Sequence, residues 1–430
     1  MININTFFLD ELLGNNYPVI VKNWNLPEYE RPIVSEIESF AKKSGRFLIS
    51  LEGLRKSGKT TVLKQLLSRL QKSGKNICYF SFERKSIQNI RNLEVVLDFF
   101  INENHQSCIC LDEVFSIKGW SDVIEKYFKN SKSSFLLSGA VYQPNGKEKS
   151  DFSLKIENFK LRPFGFDEYL DIRKIKDKKY YISFPNPLCS NFFTEFLDDF
   201  MSKGSFPELY NILDKMLINQ YIKISVLEKT IFEDIPSFFN IKHLQKLFDI
   251  YNFLAYHSGE FIYEKSFSDI TNLSEPTIDS FISHLEDFHL LDRIYTVSNI
   301  SKSVRRKKKV YLASASLYSN STANFSSGCL YSTAIYEKIR DLKPVVYIDR
   351  QIHEVDFILH INGKIFPFFI KTVDVISPSE LNNLMYFMKK NKLEEGYLIY
   401  KGVFKILDLN GYRIFLIPLS TFLASEISFS

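Results

Sequence analysis

The chain predicts an α/β protein with a parallel sheet near its N-terminal end, on three observations. Short apolar runs at 47–51 (FLISL), 77–82 (ICYFSF), 108–111 (CICL) and 134–138 (SFLLS) alternate with segments of helical period, among them TVLKQLLSRLQK, LEVVLDFFINEN and SDVIEKYFKN. Strands alternating with amphipathic helices build parallel sheets covered on both faces. The stretch GLRKSGKT, Gly53–Thr60, sits between the first strand run and the first helical run. Strand-rich patterning then returns beyond the Ser/Asn-rich stretch 314–328, in VVYIDR, EVDFILHI, KIFPFFIKTV and YLIYKG.

GLRKSGKT satisfies GxxxxGK[ST] in its required strand–helix context, which predicts a P-loop NTPase sheet. Glycines let backbone N–H groups close around phosphate, and the helix N-terminus adds a favourable dipole. The predicted nucleotide contacts are Gly53, Leu54, Arg55, Lys56, Ser57, Gly58, Lys59, Thr60 and Thr61. Lys59 can reach the β/γ-phosphates, and the Thr60 hydroxyl can ligate Mg²⁺, so ATP and Mg²⁺ are the expected ligands. CICLDEV supplies a strand ending in carboxylates. Asp112 is the second Mg²⁺ residue, and Glu113 is placed to polarise an attacking water as general base. Ser138, at the end of LLSGA's apolar run, could sit between the two and sense the γ-phosphate.

Bulk properties set the frame. At 430 residues about two to four domains are expected. An apolar fraction of 45% and a charged fraction of 24% are ordinary for a globular protein. A net charge of +5 permits nucleic-acid contact without demanding it. Cys78, Cys108, Cys110, Cys189 and Cys329 form no paired CxxC clusters and read as small buried hydrophobes in a reducing compartment. The opening MININTFFLDELLG carries Asp10 and Glu11 and no basic leader, which predicts no secretory signal and a cytoplasmic protein. No apolar run approaches the ~20 residues of a membrane helix.

The order GLRKSGKTT, CICLDEV, GW at Gly119–Trp120, LLSGA and LRPFGFDEYL at 161–170, then GSFPEL at 204–209 and FEDIP at 232–236, resembles a group of prokaryotic AAA+-type ATPases. Members of that group carry a C-terminal winged helix and a restriction-endonuclease-like domain. The resemblance implies an ATPase module over 1–175, a helical lid over 176–240, a winged helix over 241–313 and a nuclease-like domain over 314–430. It also implies an arginine just ahead of the PFGF-like segment, acting on a neighbour's nucleotide in an oligomer. Here the matching position is Lys155, with Arg162 as a substitute. Lysine offers phosphate a point charge, not arginine's planar fork.

Residues 243–257 (HLQKLFDIYNFLAYH) predict one amphipathic helix, and LSEPTIDSFISHLED a second, with Ser274 as N-cap and Ile278, Phe281, Ile282, Leu285 and Phe288 on its apolar face. Strands at Ile294–Val297 and Val310–Leu312 would flank a wing. Within it, Lys302, Arg305, Arg306, Lys307, Lys308 and Lys309 form a candidate DNA contact of sequence-independent, salt-sensitive type. The helix in the recognition position offers Asp279, His284, Glu286 and Asp287 and no Lys or Arg, an acid-rich surface that phosphate repels. A protein partner is the other reading of this module.

EVDFILHINGKIFPFFIKTV, 354–373, resembles the PD-(D/E)xK nuclease core, with Asp356 and Lys371 at its outer positions. The middle acid is replaced by Phe369, and the helix acid maps near Ser332, with Glu337 a distant rescue. One carboxylate does not bind and activate metal as two or three do, so a degenerate nuclease fold is expected. The sequence therefore predicts an ATP-dependent switch or motor; a non-hydrolysing nucleotide-gated adaptor and an ATP-coupled nuclease are the rivals.

Overall fold

A computed structural model of the chain describes residues 24–103, 107–141, 154–175, 193–262, 267, 271–297, 308–320, 327–349 and 353–425. They divide into two compact units: one is drawn from residues up to 162 together with 228–242, the other from 163–227 and 243 onward. The segment 176–240, expected as one helical lid, is thus shared between them.

The first unit is built on five parallel strands, β1 (Leu48–Gly53), β2 (Asn76–Ser81), β3 (Ser107–Asp112), β4 (Ser134–Gly139) and β5 (Glu157–Leu161), in the order β2-β3-β4-β1-β5. Among the described residues, four helices of more than ten residues accompany it: α1 (Pro32–Ser44), α2 (Lys59–Lys72), α3 (Ile90–Glu103) and α4 (Trp120–Asn130). Strand side chains alternate between two apolar layers. Cys108 and Cys110 of β3 pack with Val34, Ile37, Leu63 and Leu66 of α1 and α2. Ile109 and Leu111 pack with Leu93, Val96, Leu97 and Ile124 of α3 and α4. Burial on both faces explains why these strands read as unbroken apolar runs. This is the P-loop NTPase sheet that the sequence predicts.

The second unit carries α5 (Phe166–Ile172), α6 (Thr194–Asp199), α7 (Lys215–Tyr221), α8 (Leu244–Tyr256), β6 (Phe261–Ile262), α9 (Glu275–Asp287), β7 (Leu291–Val297), β8 (Lys308–Leu312), α10 (Ser327–Ile339), β9 (Val345–Asp349), β10 (His353–Ile361), β11 (Lys364–Ile370), α11 (Asn382–Asn391), β12 (Glu395–Tyr400), β13 (Lys405–Leu409), β14 (Tyr412–Pro418) and α12 (Leu419–Ala424). Its strands form one mixed sheet in the order β13-β14-β12-β11-β10-β9-β7-β8-β6. β6, β8 and β7 are an antiparallel set beside α8 and α9, and β7 continues into β9 by parallel pairing at Thr296↔Val346 and Val297↔Tyr347. One sheet therefore runs across the division expected near residue 313. β10 and β11 form a hairpin through Asn362 (φ 50°) and Gly363 (φ 77°), the left-handed pair that suits a twisted two-residue turn. Cys78, Cys108, Cys110 and Cys329 are buried thiols outside any disulfide; Cys189 lies outside the described residues.

Candidate nucleotide site

The site gathers where β1, β3 and β4 end and α2 begins. Gly53 closes β1 opposite Leu161 of β5, so tightly that a Cβ there would stand 2.2 Å from the Leu161 carbonyl oxygen. The loop turns through left-handed residues at Lys56 (φ 67°) and Gly58 (φ 97°), and Gly58 is the N-cap of α2. Alternating handedness of this kind points successive N–H groups toward one concavity. Arg31, from the residue preceding α1, braces the loop from behind: its Nη1 donates to the Ser57 carbonyl (3.2 Å) and the Arg162 carbonyl (2.8 Å).

Lys59 is 5% exposed. Its ammonium donates to the Gly53 carbonyl (3.0 Å) and faces Glu113 Oε1 at 3.4 Å. Thr60 Oγ1 donates to Asp112 Oδ2 at 2.6 Å, and the Tyr79 hydroxyl donates to the same oxygen at 3.1 Å. The Ser138 hydroxyl donates to Asp112 Oδ1 and accepts from the Glu113 N–H (3.2 Å). Glu113 itself has φ 57°, a left-handed backbone for a non-glycine residue. Such strain persists where surrounding structure over-determines it. Burial raises the Glu113 carboxyl pKa, opposed by the positive charge of Lys59 and reinforced by Asp112.

Arg55 leaves the loop toward Asp234, making a two-pronged pair at 2.9 and 2.6 Å. Lys85 pairs with neighbouring Glu233 at 3.0 Å. Arg31, Tyr79 and Asp234 were not predicted as site residues. FEDIP pointed to the neighbourhood of Asp234, but no spacing tied it to Arg55. Lys155 is exposed ahead of β5.

The residues present fit nucleotide and a hard divalent cation. The loop holds a buried Ser57 hydroxyl with no hydrogen-bond partner, a nearly buried ammonium, and a paired hydroxyl and carboxylate of the donor type such a cation prefers.

The C-terminal predictions fare differently. Lys302, Arg305, Arg306 and Lys307 lie outside the described residues. Lys308 and Lys309, expected in the wing, belong to β8. Lys309 is 4% exposed, its ammonium paired with Glu354, and Lys308 pairs with Asp279 at 3.2 Å. Strand alternation turns one of two neighbouring lysines inward, so Lys309 is not a free phosphate contact. The acids of α9 are also less repulsive than expected, because Arg293 pairs with Asp279 (2.8 Å) and Glu286 (2.7 Å). Ser274 stands at the N-cap, but its hydroxyl bonds the Thr277 hydroxyl at 2.8 Å and no backbone N–H.

Asp356 accepts from the Ile370 N–H at 2.9 Å, while Phe369 packs among Val355, Ile358, Leu384 and Phe387. The Lys371 ammonium lies over the Phe369 ring, 5.3 Å from its centre. Glu337 is turned elsewhere, bonded to Ser205 and to the Ala315 N–H. Among the described residues no group of three or more His, Cys, Asp or Glu side chains could hold a metal ion, and no helix is long and apolar enough to cross a membrane.

Comparison with known proteins places this geometry. Residues 45–170 match a family profile described as an AAA domain, and residues 194–327 one described as a domain of unknown function (DUF8612). An uncharacterized protein of Methanocaldococcus jannaschii, MJ1637, is 25% identical over 337 residues, covering 72% of this chain and 70% of the relative. An uncharacterized protein of Haemophilus influenzae is 20% identical over 254 residues, covering 57% and 60%, so the chain spans less than two thirds of that relative. Among solved structures, a point variant of RuvB from Thermotoga maritima shows 14% identity, coverage of 64% and 89%, and a TM-score of 0.32. AMPPCP-bound DnaA from Aquifex aeolicus shows 13%, 62% and 90%, and 0.28; Drosophila ORC bound to DNA shows 11%, 69% and 87%, and 0.24. Superpositions this loose carry no functional information. The phosphate loop and its carboxylates lie within the segment that matches the AAA domain profile.

Proposed function

We propose that the chain binds Mg-ATP at the end of its parallel sheet, hydrolyses it, and works as a molecular switch coupling turnover to engagement of DNA or a protein partner. The observation that carries this reading is the convergence of Lys59, Thr60, Asp112, Glu113 and Ser138 within hydrogen-bonding or ion-pairing reach of one another.

Lys59 would give its ammonium to the β/γ-phosphates, and Thr60 and Asp112 would hold Mg²⁺. Bound there, the cation supplies charge that offsets the phosphates and polarises the transferred group. Glu113 takes the general-base role. A raised proton affinity brings a carboxylate closer to the pKa at which it accepts a proton from water near neutral pH. Ser138 bridges Asp112 and the Glu113 backbone, so it is placed to report on the metal residue and the base together.

In the second unit, α8 and α9 against the antiparallel β6-β8-β7 set support a winged-helix reading. The β10–β11 hairpin with α10 supports a degenerate nuclease fold kept for binding or assembly, because Phe369 fills the position of the middle carboxylate. A non-hydrolysing nucleotide-gated adaptor is the second reading, favoured by lysine at 155, where an arginine fork would stabilise developing phosphate charge.

The test is phosphate release by the unsubstituted protein and by Glu113→Gln, with and without double-stranded DNA. Turnover should fall by roughly a hundredfold or more in the variant, with ATP affinity kept, and stimulation by DNA would identify the partner class. ATP binding without turnover in the unsubstituted protein would replace the switch by the adaptor. Loss of ATP binding in Glu113→Gln would remove Glu113 from the base role.

A further inference from the structure

We propose that Arg55 is the residue by which this site tells a nucleoside triphosphate from a diphosphate, with Asp234 as its resting partner. The inference rests on the reading of the loop as a nucleotide site.

Arg55 stands inside the phosphate loop, two residues after Gly53 and four before Lys59. Its guanidinium meets Asp234 through two nitrogens, at 2.9 and 2.6 Å. The same planar fork is what a phosphoryl group takes from arginine, so carboxylate and phosphate are alternative acceptors for one donor set. The charges of both Arg55 and Asp234 are felt by Glu113. Arg55 thus stands in the phosphate loop itself, within electrostatic reach of the general base. The two side chains are 24% and 17% exposed, so the pair can open without first unpacking a core.

Asp234 belongs to residues 228–242, a segment that packs with the first unit although the chain on either side of it belongs to the second. A triphosphate offers Arg55 an acceptor that a diphosphate lacks. Transfer of the guanidinium from Asp234 to that acceptor releases a tie between the loop and this segment, while Glu233–Lys85 still holds the segment to the stretch after β2. Ligand discrimination and movement of the segment then draw on the same differential affinity.

The experiment measures binding of Mg²⁺ with a non-hydrolysable ATP analogue, and of Mg²⁺ with ADP, to the unsubstituted protein, Arg55→Gln, Arg55→Lys and Asp234→Asn. Amide exchange over 228–242 is followed alongside. Arg55→Gln should lower the triphosphate-to-diphosphate affinity ratio about tenfold while ADP binding stays within a factor of about two. Arg55→Lys should restore part of the ratio. Asp234→Asn should raise triphosphate affinity and speed exchange in 228–242 without nucleotide, toward the rate the unsubstituted protein shows with the analogue. Equal weakening of both nucleotides in Arg55→Gln, or an unchanged ratio and unchanged exchange in Asp234→Asn, overturns the proposal while leaving the nucleotide site standing. Failure of the unsubstituted protein to bind either nucleotide overturns both.

Discussion

Gly53 ends β1 with its Cα against the carbonyl of Leu161, and both belong to backbone that cannot turn aside. In Gly53→Ala the new methyl would stand 2.2 Å from that oxygen, so β5 must shift or the β1–β5 pairing must open. Overpacking of this kind costs about 1–3 kcal/mol. Urea unfolding should show that loss, and ATP affinity should fall with it because the same residue starts the phosphate loop. A variant of unchanged stability and affinity would mean that β5 does not fix the loop. Other residues of the site differ in how far the sequence exposes them. Lys59, Thr60 and Asp112 follow from local spacing, since phosphate chemistry dictates both the residue types and their place at strand and helix ends. Asp234 does not: it meets Arg55 across 179 positions, and an exposed-looking acid in a helical stretch has many uses. Tyr79 is concealed in another way. It lies inside an apolar strand, where a tyrosine reads as core, and only the fold brings its hydroxyl to Asp112.

At the scale of elements, periodicity discloses what packs against one apolar layer, and it fails where charge hides the pattern. The helices over 244–256 and 275–287 are legible because one face is apolar at helical spacing, and Ile278, Phe281, Ile282 and Leu285 are indeed buried. Lys308 and Lys309 read as loop because they sit in a basic run. As strand residues they point to opposite faces, and the acid that compensates Lys309 is 45 positions away. The β10–β11 hairpin shows the reverse. Its strands are plain in the sequence, and so is the missing carboxylate, but the consequence of restoring it is structural. Phe369→Glu would recreate the nuclease-like spacing while placing a carboxylate among Val355, Ile358, Leu384 and Phe387. Lys371, whose ammonium lies over the Phe369 ring, meets only part of that charge, and a buried carboxylate short of hydrogen-bond partners destabilises by about 1–3 kcal/mol. The variant should therefore melt earlier and show no Mg²⁺-dependent nicking of supercoiled plasmid. A stable variant that cuts DNA would show that Asp356 and Lys371 still frame a working metal site.

At the scale of the whole molecule, the second unit draws its chain from residues 163–227 and 243 onward, and a buried polar network ties distant stretches of it together. Glu337 of α10 accepts from the Ser205 hydroxyl (3.3 Å) and the Ala315 N–H (3.4 Å). Ser205 also accepts from Ser314 at 2.5 Å, and Arg340 donates to the Ala313 carbonyl at 2.6 Å. Burial, opposed by the charge of Arg340, pushes the Glu337 carboxyl up to about 7 from an ordinary 4.5. Below the ordinary value the folded and unfolded chains both hold this proton. From there up to about pH 7 the unfolded chain releases it while the folded one keeps it, so stability falls as pH rises through that window. The full effect, reached above pH 7, is on the order of 3 kcal/mol. Glu337→Gln cannot ionise, and its thermal midpoint should lack this slope between pH 5 and 8. Its amide can accept from Ser205 but turns an N–H toward the Ala315 N–H, so the variant should start less stable at pH 5. The two melting curves should then draw together as pH rises, and the difference between them cancels every other titrating group. If the gap between variant and unsubstituted protein stays constant over that range, Glu337 ionises as an ordinary carboxylate and the network holds this unit together without sensing pH.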